Sequence, residues 1–409
     1  MGYNVSTIVF IEIPAFGHIN PSLPLVRELI RRGQQVIYYT DAEFAPSVEA
    51  TGATFRAYPP GVVTSRAIAQ ATQTGDMVRV PRVILRATES LVPFLLDQLQ
   101  SERPKAVVLD SNVLWGHIAA RILRLPTVSL FTTIVLGGPQ YQQMSLREWL
   151  HMLRPALPSL VPILVARTRL LRQFKGPVVP RPAFPALGDV NLGLFPKDFQ
   201  PPNPRIDATF RFVGPMLDPE TRVDAPLELA GSGPLVYMSL GTLHRAATAF
   251  LRECLEAFAD VPARFVISSR SHGDGQGLGQ IPANCMVRAS VPQLAVLQQA
   301  DLFVTHGGMN SVLESLAHGV PMLVIPQQPE QMVIGLMLAE RGAALVRREH
   351  VAGQRLAGVD VRRQVQHMLG TPRYQAGARQ LQTLVAATGG YRQAADEVQR
   401  LTGATAAAG

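Results

Sequence analysis

The sequence predicts an α/β protein built from two doubly wound parallel sheets, on three observations. Short apolar strands alternate with amphipathic helical stretches through both halves of the chain. A polar, Gly/Pro-containing stretch, Asp218 to Gly233, separates the halves. The 409 residues exceed one ordinary core and suit two domains of about 200 residues each.

The first half opens with an apolar strand, Val5 to Ile13, followed by a turn through Pro14-Ala15-Phe16-Gly17-His18-Ile19-Asn20-Pro21. Leu23, Leu25, Val26, Leu29 and Ile30 then recur at helical spacing until Gly33. Strands are expected at Val36 to Thr40 and Ala53 to Tyr58, with a short helix around Glu43 to Ala50 between them. Asp76 to Gln100 reads as helical material broken at Pro81 and Pro93. A strand at Ala106 to Leu109 ends in Asp110, and a helix (Val113 to Arg124) and a strand (Thr127 to Thr132) follow. Between Pro139 and Pro185 prolines interrupt repeatedly, and Ser145 to Lys175 reads as an amphipathic helix rich in Leu, Met and Arg. This segment suits either a variable wall of a binding cleft or ordinary core helices with solvated arginines. A last strand is expected at Thr209 to Val213.

The second half repeats the alternation, with strands at Leu235 to Leu240, Arg264 to Ser268, Met286 to Arg288, Leu302 to Thr305, Met322 to Ile325 and Ala344 to Val346. The expected organisation is a first domain over residues 1–217, a linker over 218–233 and a second domain over 234–386. A C-terminal helix and tail over 387–409 is expected to pack back on the first domain.

At 47% hydrophobic and 17% charged, the chain can bury large cores and lacks the composition of a disordered one. No uninterrupted run of eighteen apolar residues occurs and the N-terminal residues do not resemble a signal peptide, so a cytoplasmic location is expected. Two distant cysteines, Cys254 and Cys285, predict neither a disulfide framework nor a zinc site. The net charge of +8 is spread along the chain without a nucleic-acid-binding motif, so no nucleic-acid partner is expected. The same charge leaves peripheral contact with an anionic membrane open, without stable insertion.

The stretch from Asp301 to Gln331 is the densest in candidate chemistry. It reads as strand, turn, helix and strand, with His306-Gly307-Gly308 at the turn and Asn310, Ser311 and Glu314 at the start of the helix. Adjacent glycines admit a ligand close to the backbone, and the first helical turn presents N–H groups with partial positive charge, so the turn is a candidate phosphate cradle. Ser311 and Glu314 equally fit a capping box that only satisfies helix-end donors. Glu330 and Gln331 follow the next strand, and Ser239-Leu240-Gly241-Thr242 supplies a second small-residue turn. In open α/β sheets ligands bind beyond the carboxyl ends of strands, where all of these lie. In the first half, His18 follows the first strand and Asp110 ends a later one. A histidine oriented by a carboxylate is suited to take a proton from an alcohol. Each also has a plainer reading, His18 as a turn residue and Asp110 as a helix cap.

Taken in order along nearly the whole chain, these motifs resemble the macrolide-type glycosyltransferases that use nucleotide sugars. They are Gly17-His18-Ile19-Asn20-Pro21, Asp110 with Trp115-Gly116, Phe212-Val213-Gly214-Pro215, Ser239 to Thr242, Val291-Pro292-Gln293, and His306 to Ser311 through Glu330-Gln331. The resemblance implies the GT-B architecture, two facing Rossmann-like domains. It also implies inverting transfer, with His18 as general base and Asp110 as its partner. Val291 and Gln293 would border the nucleotide base and Glu314 the ribose. His306, Asn310 and Ser311, with Thr242 and the Gly307-Gly308 turn, would meet the diphosphate. Glu330 and Gln331 would hold the sugar hydroxyls. No resident cofactor and no metal are implied: the UDP- or TDP-linked sugar is a co-substrate, with the helix dipole and His306 in place of a cation. Two positions depart from the family pattern. Ser290 stands where many relatives stack a tryptophan, and Ile334 where an asparagine often follows the Glu-Gln pair.

The leading expectation is therefore transfer of a sugar to a hydroxyl of an apolar small molecule such as a polyketide or flavonoid. The alternatives are a glycolipid-forming transferase at the membrane surface and a non-catalytic nucleotide-sugar-binding auxiliary protein.

Overall fold

The computed structural model describes residues 6–73, 78–137, 142–174, 178–180, 183–218, 231–241 and 248–403. The chain forms two compact units. One comprises Met1–Val135, Leu153–Thr221 and Thr388–Gly409, and the other Leu136–Met152 and Arg222–Ala387.

The first unit carries β1 (Thr7–Ile11), α1 (Phe16–Arg31), β2 (Gln35–Thr40), α2 (Ala45–Glu49), β3 (Thr54–Ala57), α3 (Ser65–Gln73), α4 (Arg79–Glu102), β4 (Ala106–Asp110), α5 (Leu114–Leu123) and β5 (Thr127–Phe131). After α6 (Leu146–Leu153) come α7 (Leu160–Gln173), β6 (Val190–Gly193) and β7 (Phe210–Phe212). The seven strands are ordered β3-β2-β1-β4-β5-β6-β7, all parallel. Strand order reverses direction between β1 and β4, which makes that pair the switch point of a doubly wound sheet.

Both faces of this sheet are covered, so its strands read as apolar runs rather than alternating ones. Ile8 and Phe10 of β1 join Leu23, Val26 and Leu29 of α1 in one core cluster. Val9 and Ile11 point the other way, to Leu91 and Leu95 of α4 and Trp115 and Ile118 of α5. Each such fully buried side chain stabilises the fold by about 1.5–3 kcal/mol. Gly116 explains its place in the Trp-Gly pair, because a Cβ there would stand 2.5 Å from Leu109 Cδ2. Trp115 donates to Tyr58 Oη at 3.2 Å.

Three local expectations are corrected. The turn read at Pro14 to Pro21 is mostly helix, since α1 begins at Phe16 and runs through Pro21 and Pro24. α4 likewise continues through Pro93. Proline fixes a φ that the helix shares, so the loss is local backbone hydrogen bonding rather than the whole element. The Ser145 to Lys175 stretch, read as one helix, is α6, a 3-10 turn over Arg154–Ser159 and then α7, with Lys175 outside the described residues.

The second unit carries β8 (Leu235–Ser239), α8 (Thr248–Phe258), β9 (Arg264–Ser268), β10 (Cys285–Arg288), α9 (Gln293–Leu297), β11 (Leu302–Thr305), α10 (Met309–Ala317), β12 (Met322–Val324), α11 (Pro329–Glu340), β13 (Ala344–Val346), α12 (Gly358–Leu369) and α13 (Pro372–Ala386). Its strands run β10-β9-β8-β11-β12-β13, again all parallel, and β8 with β11 forms the switch point. Tyr237 and Phe303, opposite each other in the β8–β11 register, stack with ring centroids 4.7 Å apart. Leu136–Met152 belongs to this unit. Both oxygens of the buried Glu148 accept from Arg348, at 2.7 and 2.6 Å. Met144 and Met152 cluster with Met332 and Val351.

The last helix, α14 (Gly390–Leu401), packs on the first unit. Ala394, Ala395 and Val398 enter the α1 face of its core. Arg32 donates to Asp396 at 2.5 Å and to Gln399 at 2.9 Å. Gly390 N donates to Val213 O at 2.7 Å. Gly214, with φ +83°, sits so close that a Cβ would come 1.9 Å from Thr388 Oγ1.

Candidate active site

His18 lies in the first turn of α1 and Asp110 at the carboxyl end of β4, so both stand at the switch point of the first sheet. His18 Nδ1 is 2.5 Å from Asp110 Oδ2, and Thr132 Oγ1 lies 3.4 Å from the same nitrogen. Asp110 is fully buried while His18 keeps a quarter of its side chain exposed. The other carboxylate oxygen, Asp110 Oδ1, accepts from Asn112 N at 2.7 Å. Asp110 is not the cap of α5, whose N-cap is Val113: one of its oxygens accepts within the turn before that helix, and the other lies against the imidazole.

Sequence reasoning missed a neighbour. The β1–β4 register pairs Ile11 with Leu109, which sets Glu12 beside Asp110. Glu12 is fully buried, and among the described residues neither carboxylate oxygen has a hydrogen-bond partner. Burial first, and the Asp110 charge second, hold its carboxyl well above the ordinary range. The signal was present as a lone acidic residue closing the apolar run Thr7 to Ile11. His117 of α5 is buried too, and burial pushes its imidazole down to about 4, leaving it neutral.

The second unit assembles its candidates at the β8–β11 switch point. His306 follows β11, and its ring is packed between two glycines: a Cβ on Gly241 would lie 3.0 Å from Cε1, and one on Gly308 2.6 Å from Nε2. Desolvation pushes this imidazole down to about 4, partly offset by a hydrogen bond to the Ser239 backbone. His306 is thus neutral near pH 7. The helix supplies the electrostatics: α10 begins after Gly308, whose φ of −64° and ψ of 138° are extended. Gly307 (φ +84°) has no room for a side chain, since a Cβ would sit 2.7 Å from Val324 Cγ1.

Because Gly308 is the N-cap and no side chain caps α10, the capping box of Ser311 and Glu314 does not form. Glu314 is buried and accepts from Gln293 Nε2 at 2.5 Å. The same nitrogen lies 3.4 Å from Ser311 Oγ. Tyr237 Oη donates to Gln293 Oε1 at 3.0 Å, a support that the sequence did not reveal. Gln293, Ser311 and Glu314 therefore meet, with Asn310 one residue before Ser311 on α10 and Val291 half-buried just before α9. Gln331 is buried and accepts from Gln327 N at 2.9 Å, holding the loop before α11, while Glu330 is partly exposed in the first turn of that helix. Gln327 Nε2 reaches Leu240 O at 3.2 Å and ties this loop to the end of β8. Ser290 is exposed, and Ile334 is fully buried in α11, a core position rather than a polar contact. Thr242 lies outside the described residues.

Residues 252–400 match the family described as Erythromycin biosynthesis protein CIII-like, C-terminal domain. Over 96% of both chains the protein is 30% identical to the NDP-glycosyltransferase YjiC of Bacillus subtilis. It is also 30% identical to the demethyllactenocin mycarosyltransferase of Streptomyces fradiae, over 96% of this chain and 86% of that one. The solved structure of the kitacinnamycin glycosyltransferase superposes with a TM-score of 0.79 at 29% identity, covering 97% of this chain and 99% of that one. Two sheets with reversing strand order, a histidine–carboxylate pair at one switch point and a glycine-lined helix start at the other agree with these likenesses along the whole chain. The protein is a glycosyltransferase of GT-B fold and belongs to the macrolide-type UDP/TDP-glycosyltransferases.

Proposed function

We propose that the protein transfers a sugar, with inversion, from a UDP- or TDP-sugar to a hydroxyl of an apolar small molecule of the natural-product class. The observation that carries this reading is the 2.5 Å contact between His18 Nδ1 and Asp110 Oδ2. With Nδ1 held by the carboxylate, Nε2 is the nitrogen that takes the acceptor's proton. The acceptor oxygen then bonds to the anomeric carbon from the face opposite the leaving group, and the bond from that carbon to the diphosphate oxygen breaks. The proton resides on His18, whose imidazolium Asp110 stabilises, and the nucleoside diphosphate leaves with the bonding electrons.

In this reading the second unit holds the donor. Backbone N–H groups at the start of α10 receive the growing charge on the diphosphate, with Asn310 and Ser311 beside them. Glu314, set by Gln293, accepts from the ribose hydroxyls, Val291 borders the base, and Glu330 and Gln331 serve the sugar. The reaction so written calls on no resident cofactor or metal; the nucleotide sugar is consumed as co-substrate. Relatives named as a mycarosyltransferase for demethyllactenocin and as an oleandomycin glycosyltransferase support the acceptor class. A purely auxiliary protein would have no use for an oriented His18.

The test is incubation with a panel of UDP- and TDP-sugars and mixed apolar aglycones, following nucleoside diphosphate release and the anomeric configuration of the product. Release above a His18→Ala control with an inverted product is expected; release equal to that control overturns the reading.

A further inference from the structure

The stretch Leu146–Gln173 is long and apolar enough to cross a membrane by composition, yet little of it is buried. The part in the first unit, the 3-10 turn Arg154–Ser159 and α7, has two unlike faces. Ala156, Ala166 and Leu170 are buried in the unit, and the latter two join the core cluster that contains the α4 residues. That anchored face prevents the helix from leaving the protein to span a bilayer. On the other side Leu157, Leu160, Val161, Leu164 and Val165 are exposed, Val161 by 70%. At about 100° per residue, Leu160, Val161, Leu164 and Val165 fall in one arc, with Arg167 on one border, Arg169 on the other and Arg172 further along. All three arginines are exposed, as is Arg154, and no acidic residue occurs between Leu153 and Gln173.

We propose that this face seats the protein on an anionic lipid bilayer, with the apolar arc entering the headgroup boundary and the arginines extending to the lipid phosphates. An apolar stripe bordered only by cations is the pattern of a helix lying in the interface plane, where long arginine stems reach the phosphates. A second copy of the same face fits worse, because its arginines would meet arginines. The net charge of +8 adds attraction of the same sign.

Co-sedimentation of the full chain with phosphatidylglycerol-containing vesicles and with pure phosphatidylcholine vesicles tests this without reference to catalysis. Binding to the anionic vesicles alone is expected, weakening as salt rises. It should fall at least tenfold in Val161→Gln/Leu164→Gln and in Arg167→Gln/Arg169→Gln, with thermal midpoints and diphosphate release on a soluble acceptor unchanged. Failure to sediment with anionic vesicles, or equal binding to both vesicle types, overturns the proposal. So does a dimer abolished by the apolar variant, which gives the face to a second copy. A raised KM for a soluble acceptor with sedimentation unchanged gives it to the acceptor.

Discussion

Glu12 follows the β1 residue that pairs with Leu109 of β4, so two buried carboxyl groups, Glu12 and Asp110, share one end of the sheet, and burial first, with the nearby Asp110 second, holds the Glu12 carboxyl well above the ordinary range.

This pairing has a stability signature. Glu12 keeps its proton in the fold well above the ordinary value of 4.5, so the native state binds more protons than the unfolded chain once pH exceeds that value. Its contribution is complete below about 4.5 and is lost as pH rises towards the folded value. Relative to Glu12→Gln, wild type should lose about 1.4 kcal/mol per pH unit in that window. Urea unfolding of both proteins between pH 5 and 9 checks it; a difference that does not change with pH would show that Glu12 titrates normally.

Asp110→Asn should keep the turn, since Oδ1 still accepts from Asn112 N, but replace the carboxylate oxygen that faces Nδ1 of His18 with an amide NH2. kcat/KM should fall by about 10²–10⁴ with an unchanged thermal midpoint. Activity within threefold of wild type would remove the pair from the mechanism.

Glu314→Ala should act on the donor alone. It leaves the Gln293 amide without its 2.5 Å acceptor and removes the acceptor assigned to the ribose. Donor KM should rise about 10–100-fold, the range for a lost hydrogen bond to a charged group. Initial rates with both substrates varied separate this from an acceptor effect, which should be absent.

Gly308→Ala separates shape from backbone freedom. The residue's φ of −64° suits alanine, but the new methyl would stand 2.6 Å from His306 Nε2 and must displace the imidazole. The expected result is a folded protein whose thermal midpoint rises less than that of wild type on adding UDP or TDP. An equal rise for both proteins would mean that the His306 ring position does not matter to the nucleotide.

What the sequence made legible follows from which forces act locally. Strands buried on both faces leave apolar runs, and all six strands expected in the second half are present. β6 escaped because it is only four residues long, contains the buried Asn191, and ends in Gly193, where a Cβ would meet Phe212 at 2.6 Å. The start of α1 was hidden by prolines that resemble turn residues. The approach of His18 to Asp110 was suggested by their positions after two strands, but the distance depends on β1 and β4 being neighbours. Tyr237 and Glu12 act through strand register, which no single stretch records. The membership of Leu136–Met152 in the second unit rests on long-range contacts such as Glu148 with Arg348.

The place of α14 bears on how the protein is made. Synthesis proceeds from the N-terminus, and domains generally fold as they emerge. Here the α1 face of the first sheet is completed by Ala394, Ala395 and Val398, which leave the ribosome only after every strand of the second sheet. The unit begun first is finished last, and its unsealed apolar surface must be tolerated for most of translation. A chain cut short before Gly390 would therefore injure the unit made first, exposing Leu23 and Val26 at the opposite end of the sequence.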